Sequence, residues 1–302
     1  MLIHPIIRLV TAVLLVFSAL VGGKGYAQAQ APTPRLQVVT SFTILADMTR
    51  EVGGDVVEVS SLVGPSTDAH VFEPSPADAK RVASAQLLIV NGWQFEGWLN
   101  RLVKASAYRG KVVVATVGVP PRKVGRSIDP HAWQSLSNAL IYVENIRVAL
   151  SNTMPSQTAT FNKNADAYSN KIRALHSSVL ERIAAVPIEQ RRVITSHDAF
   201  GYFADAYKIE FIAAQGWSTD SEASAADVAR IIRQLKAKQV RAVFVENVSD
   251  PRLAQRISKE GGGVIGGTLY SDALSPVGTG GDTYLKFFEH NVDTLIKAIA
   301  PR

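Results

Sequence analysis

The feature that most constrains the fold is a pattern of strands and helices that occurs twice in the chain. In its first half, "LQVVTS", "VVEVSSLV", "LLIV" and "KVVVATV" are short apolar runs, and segments with helical periodicity such as "ILADMTREVGG" separate them. After residue 190 the order returns with "RRVITS", "EFIAAQG", "VRAVFVEN" and "GVIGGTLY". Because strands that alternate with helices form parallel sheets, the sequence predicts an α/β protein with two similar lobes, each a four-stranded parallel sheet flanked by helices.

The segment between the two halves has a different pattern. Residues 156–185 contain no Gly or Pro. Its apolar residues keep helical spacing at Phe161, Ala165, Tyr168, Ile172, Leu175, Val179 and Ile183. A helix of about thirty residues would be about 45 Å long, so we expect one rigid backbone helix rather than a flexible linker. The predicted division is an N-terminal lobe at 32–155, the linking helix at 156–186 and a C-terminal lobe at 187–302.

The first 31 residues predict a secretory signal peptide. A basic start with His4 and Arg8 precedes an apolar run from Leu9 to Val21, and small residues then offer cleavage after Ala27, Ala29 or Ala31. The apolar run of about thirteen residues is shorter than the roughly twenty that span a membrane. The chain has no cysteine, which excludes disulfides and a lipid-modified N-terminal cysteine. We therefore expect a soluble protein in the periplasm.

The net charge of +6 does not indicate a nucleic-acid partner. Lys and Arg are interspersed with Asp and Glu, and the densest basic run, "PPRKVGR" at 120–126, has no aromatic residues between its charges. Proteins that bind single strands combine basic grooves with aromatic side chains on which bases stack. Nucleic-acid binding is therefore not expected.

Four residues that can bind metal ions follow predicted strands. His70 lies in the loop after the second strand, His131 in "DPHAW" beyond the fourth, and His197 in "TSHDAF" after the first strand of the second half, while Asp272 follows the last strand. Ligand sites of open α/β sheets lie outside the carboxyl ends of the strands. One cleft between the lobes can thus collect three imidazoles and one carboxylate, which is a tetrahedral metal site.

Other interpretations of these residues stay open. A single loop histidine more often serves in hydrogen bonding than as a ligand, and Asp272 could cap the segment that follows it. A metallohydrolase would need a ligand position open to water and a general base such as Glu73. Four protein ligands leave no such position, so an enzyme is not expected. His176 and His290 are assigned to helices away from the cleft.

Several separated motifs also carry a family resemblance. They include "VTSFTILADMTREVGGD", "DAHVFEPSPADAKRVASAQLLIVNG", "DPHAW", "VITSHDAFGYFADAYKIEF" and "VFVENVSDPRLAQRIS". Over nearly its whole mature length the chain resembles the periplasmic substrate-binding proteins of zinc and manganese ABC transporters. The resemblance implies a metal held by His70, His131, His197 and Asp272, and delivery of that metal to a membrane permease. We expect a monomer. A metal chaperone without a transporter and a surface adhesin are the alternatives on the same scaffold.

Departures from the family pattern bear on the site and its metal. Ala69 stands where proline commonly precedes the first histidine, Trp93 and Gln94 replace small residues at the cleft, and no histidine-rich loop precedes His131. In the resembled family a glutamate at the position of His197 accompanies manganese, whereas histidine is common in zinc-binding members. We therefore expect Zn²⁺. Mn²⁺ is the alternative, because an aspartate that binds through both oxygens would give a five-coordinate site. Asp129 and Asp198 are candidate hydrogen-bond partners of the imidazoles.

Overall fold

The structure is a computed structural model that describes residues 35–237, 240 and 242–300. The signal-peptide prediction for residues 1–31 lies outside the described residues. From Arg35 onward the chain forms one compact unit. Among its described helices, none combines the length and the apolar character that crossing a membrane requires.

The first lobe is built on a parallel four-stranded sheet in the order β2-β1-β3-β4. Its elements are β1 (Leu36–Thr40), α1 (Thr43–Gly53), β2 (Val57–Ser61), α2 (Pro76–Ser84), β3 (Leu87–Val90), α3 (Leu99–Ala105) and β4 (Lys111–Val114). In the register of the central strand, Val38 lies opposite Val59 on one side and Leu87 on the other. All four residues of β3 are buried, as expected for a central strand covered on both faces.

A two-stranded antiparallel hairpin and a long helix lead out of this lobe, and neither was predicted from the sequence. They are β5 (Lys123–Val124), β6 (Ser127–Ile128) and α4 (Leu136–Thr153). The basic run at 120–126 supplies the first strand and the turn of the hairpin, where Gly125 has a positive φ of 59°. In α4, Tyr142, Val143 and Ile146 are buried. The helix begins five residues after His131. In the sequence its apolar positions were not distinguished from the segment that continues the DPHAW motif.

The predicted backbone helix is α5 (Thr158–Ala184), with 27 residues. The seven apolar residues that predicted it are all buried. At 1.5 Å per residue α5 is about 40 Å long. It packs against α1 and α4 and also against a helix of the second lobe, α9 (Tyr284–Ile299). The linking helix is therefore confirmed, with its ends two residues inside the predicted bounds.

The second lobe repeats the topology of the first. Its elements are β7 (Arg192–Thr195), α6 (Gly201–Tyr207), β8 (Glu210–Ala213), α7 (Ala225–Ala237), β9 (Ala242–Glu246), α8 (Pro251–Gly261) and β10 (Val264–Leu269), followed by α9. The sheet order β10-β9-β7-β8 places the first strand of the lobe between its second and third strands, as in the first lobe. All pairs are parallel. The predicted fold class is confirmed.

Two apolar clusters hold these layers together. The larger one contains residues of both lobes and of the helices α4, α5 and α9. The smaller one lies between the second sheet and its covering helices α7 and α8. Neighbouring strand residues divide between them, so that Val193 belongs to the larger cluster and Ile194 to the smaller one. The carboxyl ends of both sheets are thereby fixed on one shared core.

Candidate metal centre

The first predicted ligand, His70, lies in the loop that follows β2. Its backbone N–H donates to Asp68 Oδ1 at 2.9 Å, and the indole N–H of Trp98 donates to the carbonyl of Ala69 at 2.8 Å. The imidazole packs edge-on against Phe95, with ring centroids 4.8 Å apart. These contacts fix the backbone at Ala69, so hydrogen bonding supplies the constraint that a proline would supply through its ring.

His131 is oriented by the aspartate two residues before it. Asp129 Oδ1 accepts from the backbone N–H of His131 at 3.0 Å and lies 2.8 Å from its Nδ1. A carboxylate at Nδ1 fixes the proton there and leaves the lone pair on Nε2. The other oxygen, Asp129 Oδ2, accepts from Nη1 of Arg122 at 3.2 Å. The prediction that Asp129 hydrogen-bonds an imidazole is confirmed.

His197 is oriented by a residue that was not predicted. Glu246, the last residue of β9, accepts from the backbone N–H of His197 through Oε1 at 2.9 Å, and its Oε2 lies 2.5 Å from His197 Nδ1. The prediction that Asp198 is this partner is wrong, because Glu246, at the end of the neighbouring strand β9, already supplies the carboxylate. The backbone N–H of Asp198 instead donates to the carbonyl of Gly216. Since β9 pairs with β7, a carboxylate ending β9 was the sequence signal for Glu246.

Asp272 lies in the loop after β10 and is positioned through the residue before it. The indole N–H of Trp133 and the side-chain amide of Gln134 both donate to the carbonyl of Ser271 at 2.9 Å. Asn247 Oδ1 accepts from the N–H of Ser271 at 3.2 Å. Trp133 and Gln134 directly follow His131 and its neighbour Ala132 in the chain, so one short turn places a histidine and fixes the aspartate loop of the other lobe.

The structure brings the four predicted side chains together, with one nitrogen or oxygen atom of each within 4.8 Å of the others. Nε2 of His70 lies 3.3 Å from Nε2 of His131 and 3.4 Å from Asp272 Oδ2. Nε2 of His197 lies 3.2 Å from the same oxygen, and Nε2 of His131 lies 3.6 Å from Asp272 Oδ1. A tetrahedron with metal–ligand distances of about 2.0–2.1 Å has edges of about 3.3 Å. These four separations, 3.2–3.6 Å, lie close to that figure.

The electrostatics of the cluster favour a cation at its centre. His131, His197 and Asp272 are fully buried and His70 is 7% exposed. Burial alone would lower the pKa of His197, but the carboxylates of Glu246 and Asp272 raise it well above its usual value. Burial alone would raise the pKa of Asp272, but the imidazoles of His197 and His131 hold it well below its usual range.

The hydrogen bonding of the cluster is also incomplete in a way that a metal ion would complete. Both carboxylate oxygens of Asp272 and Nε2 of His197 are buried without a well-oriented hydrogen-bond partner, and so are Nδ1 of His197 and Oε2 of Glu246, which lie 2.5 Å apart as an ion pair. Buried polar atoms of this kind are rare and costly unless something binds them. Imidazole nitrogens and a carboxylate oxygen are donors that Zn²⁺ and related divalent ions accept. The residues present therefore fit a divalent metal ion.

Other residues singled out in the sequence lie outside the cluster. Glu73 is exposed. His176 is on α5, where its Nδ1 lies 3.0 Å from the hydroxyl of Tyr207. His290 is on α9, where its Nε2 lies 2.9 Å from the carbonyl of Thr268. The helical placement predicted for both histidines is confirmed.

Trp93 and Gln94 form part of the junction between the lobes. Both have positive φ values, 51° and 65°. The Trp93 ring is stacked parallel to Tyr202 of α6, with centroids 6.5 Å apart. Arg122 crosses the same junction, since its backbone N–H donates to Tyr202 Oη at 2.8 Å and its Nε donates to Asp205 at 3.1 Å. Aromatic and charged contacts thus join the lobes beside the histidine cluster.

Comparison with known proteins also indicates a metal-binding protein. Residues 38–298 match the family model described as ZnuA, zinc-uptake complex component A, periplasmic. The chain is 33% identical to the iron-binding protein YfeA of Yersinia pestis, over 94% of this chain and 93% of that protein. It is 33% identical to the manganese-binding lipoprotein MntA of Bacillus subtilis, over 96% and 98% of the two chains.

A solved structure supports the assignment at the level of the fold. The periplasmic zinc-binding protein TroA of Treponema pallidum superposes with a TM-score of 0.85 at 29% identity, covering 88% of this chain and all of that one. The match of sequence and fold extends through both lobes and the linking helix. The chain belongs to the ZnuA family of periplasmic metal-binding proteins, the substrate-binding components of metal ABC transporters.

Proposed function

We propose that this protein binds Zn²⁺ through Nε2 of His70, His131 and His197 and through the carboxylate of Asp272, and passes the ion to the permease of an ABC importer. The observation that carries the proposal is the set of separations of 3.2–3.6 Å among these atoms. Asp129 and Glu246 support it, because a carboxylate at Nδ1 both orients an imidazole and increases its strength as a ligand.

Donor chemistry favours zinc over other divalent ions. Three imidazoles and one carboxylate suit its tetrahedral preference and borderline softness. For a given nitrogen-rich set, the order of divalent affinities places manganese and iron below zinc. The imidazole of His197 supplies the third nitrogen. We therefore infer that zinc is retained more tightly than manganese.

Manganese is the second candidate, and one contact favours it. Both oxygens of Asp272 face the imidazoles, Oδ2 toward His70 and His197 and Oδ1 toward His131. A bidentate carboxylate would raise the coordination number to five, which Mn²⁺ accepts more readily than a strict tetrahedron. The names of the relatives agree with this breadth, since they include a manganese-binding lipoprotein and an iron-binding protein.

The proposed role is transport rather than catalysis. Four protein ligands around one ion leave no position for an activated water, which a hydrolytic zinc site requires. Glu73, the residue considered as a general base, is exposed. We further propose that residues 1–31 are a cleaved signal peptide, that the mature protein is a periplasmic monomer, and that its lobes comprise 32–155 and 187–302 around the linking helix at 156–186.

Metal binding is tested with protein stripped of metal by a chelator and titrated with Zn²⁺ and Mn²⁺ in competition. We expect one ion per chain and tighter retention of zinc. His131→Ala should abolish tight binding, whereas His176→Ala and His290→Ala, which remove histidines from helices outside the cluster, should leave it unchanged. Tighter retention of manganese would refute the zinc assignment, and unaltered binding by His131→Ala would refute the site.

A further inference from the structure

The segment between β8 and α7, residues 214–224, is defined here as the covering loop. Its first residues are attached to the second lobe on both sides of His197. The backbone N–H of Gln215 donates to the carbonyl of Ser196 at 2.9 Å, and the N–H of Asp198 donates to the carbonyl of Gly216 at 3.2 Å. The beginning of the covering loop therefore keeps a fixed position relative to one ligand.

The middle of the covering loop reaches the other lobe. The hydroxyl of Thr219 donates to Asp68 Oδ2 at 2.7 Å, while Asp68 Oδ1 accepts from the backbone N–H of His70 at 2.9 Å. A single carboxylate thus joins the covering loop to the segment that carries another ligand. Between the two attachments, the ring of Trp217 packs edge-on against that of His70, with centroids 6.0 Å apart. The loop spans the cluster from His197 to His70.

An open surface pocket lies beside the covering loop. A cavity of about 460 Å³ is lined by residues of the loop, among them Trp217 and Ser221, and by Asp227 and Arg230 of α7. The charged residues at this cavity form an ion pair at the surface, between Arg230 Nη2 and Asp227 Oδ1 at 3.4 Å. Loops with few buried apolar contacts open at lower free-energy cost than core elements.

We propose that the hydrogen bond from Thr219 to Asp68 holds the covering loop closed over the bound metal and sets the rate at which the metal leaves. This inference rests on the proposed function. Thr219 and Asp68 are positioning residues, because neither donates an atom to the metal. Opening of the loop would separate Trp217 from His70 and admit water to the ligands. A hydroxyl-to-carboxylate hydrogen bond is charge-assisted, so its loss should accelerate release by about tenfold.

The test compares zinc release from Thr219→Val and Thr219→Ser. Valine keeps the shape of threonine and removes the hydroxyl, whereas serine keeps the hydroxyl. Ser221→Ala, which removes an exposed hydroxyl of the same loop, is the control. Stopped-flow mixing of zinc-loaded protein with excess chelating dye should give release about tenfold faster for Thr219→Val, with association rates within about twofold of the native protein. The serine variant and the control should release zinc at the native rate.

The inference would be overturned if Thr219→Val released zinc at the native rate. It would also be overturned if Thr219→Ser released zinc as fast as the valine variant. Hydrogen exchange of the amides at 214–224 in the metal-free protein gives a readout that needs no metal. Exchange there should be faster in Thr219→Val only, and unchanged exchange would also overturn the inference. Failure of the native protein to bind zinc would instead refute the proposed function. Thr219→Ala, which also removes the hydroxyl and should show the same faster release, provides a second variant if the valine protein does not fold.

Discussion

A buried carboxyl between the lobes should make the stability of this protein depend on pH. Asp47 of α1 is 8% exposed, and its Oδ2 accepts from the backbone N–H of Tyr284, the first residue of α9, at 2.8 Å. Burial raises the pKa of Asp47 from 3.8 to about 6, although the hydrogen bond from Tyr284 acts in the opposite direction. The first lobe thus holds the start of a second-lobe helix at the cost of a desolvated charge.

The sign and size of the effect follow from this raised pKa. Between pH 3.8 and about 6 the folded protein binds more protons at Asp47 than the unfolded chain does. The free energy of unfolding therefore falls as the pH rises through this window. A difference of about 2 units, at about 1.4 kcal/mol each, corresponds to about 3 kcal/mol of lost stability above pH 6. Asp47→Asn keeps an acceptor for Tyr284 and removes the charge.

We expect Asp47→Asn to match the native protein near pH 4 and to exceed its stability by up to about 3 kcal/mol at pH 7.5. Urea unfolding of metal-free protein at several pH values, followed by two optical probes to verify a single transition, measures the difference. Asp55→Asn, at an exposed carboxyl that follows the end of α1 in the chain, is the control. A stability difference that is the same at pH 4 and pH 7.5, or a variant less stable than the native protein at pH 7.5, would refute the reasoning.

Two further predictions concern the groups that orient the ligands. Glu246→Gln removes the carboxylate at His197 Nδ1 and should weaken zinc affinity about 10- to 100-fold in a competition titration. Glu189→Gln, at an exposed carboxylate, should leave the affinity unchanged. Equal zinc affinities of the two variants would contradict the role assigned to Glu246. Gly201→Ala would place a Cβ in collision with the guanidinium of Arg122 and 2.6 Å from Asp129 Oδ2. It should weaken zinc binding severalfold by displacing Asp129 from His131, whereas Gly216→Ala, whose Cβ meets no atom within 4 Å, should bind normally.

The elements predicted best from the sequence are those whose signal is local. The backbone helix is one example, because its apolar spacing specifies a buried face without reference to the rest of the chain, and its seven marked residues are all buried. The four clustered side chains are another, since each follows a strand and parallel strands end at the same edge of a sheet. In both cases one general rule connects the sequence pattern to a place in the fold.

The features that were missed depend on contacts between distant parts of the chain. Asp198 was chosen because it adjoins His197 in sequence, but the order of the second sheet places the end of β9 beside β7 and so brings Glu246 to the imidazole. The bond from Thr219 to Asp68 joins residues 151 positions apart, with no periodic signal at either end. Partners of this kind follow from strand order and from the closure of the lobes, which the local pattern does not encode.

The repeated topology also explains why the two lobes supply their proposed metal ligands differently. Each lobe ends its first strand in Thr-Ser, and in each the threonine hydroxyl donates to the carbonyl two residues on, from Thr40 to Phe42 and from Thr195 to His197. His197 and Phe42 therefore occupy matching positions. Phe42 is buried with its ring 4.9 Å from that of Trp133, where it supports the turn after His131 instead of coordinating.

With an apolar residue at this position, the first lobe has to bring its proposed metal ligands from loops, and these loops need separate support. Asp68 and the Trp98 indole fix the backbone around His70, and Asp129 fixes His131. The ligand at the strand end, His197, is held by the sheet and by Glu246. The two lobes therefore hold their histidines by different means, with loop contacts at His70 and His131 and a strand end at His197.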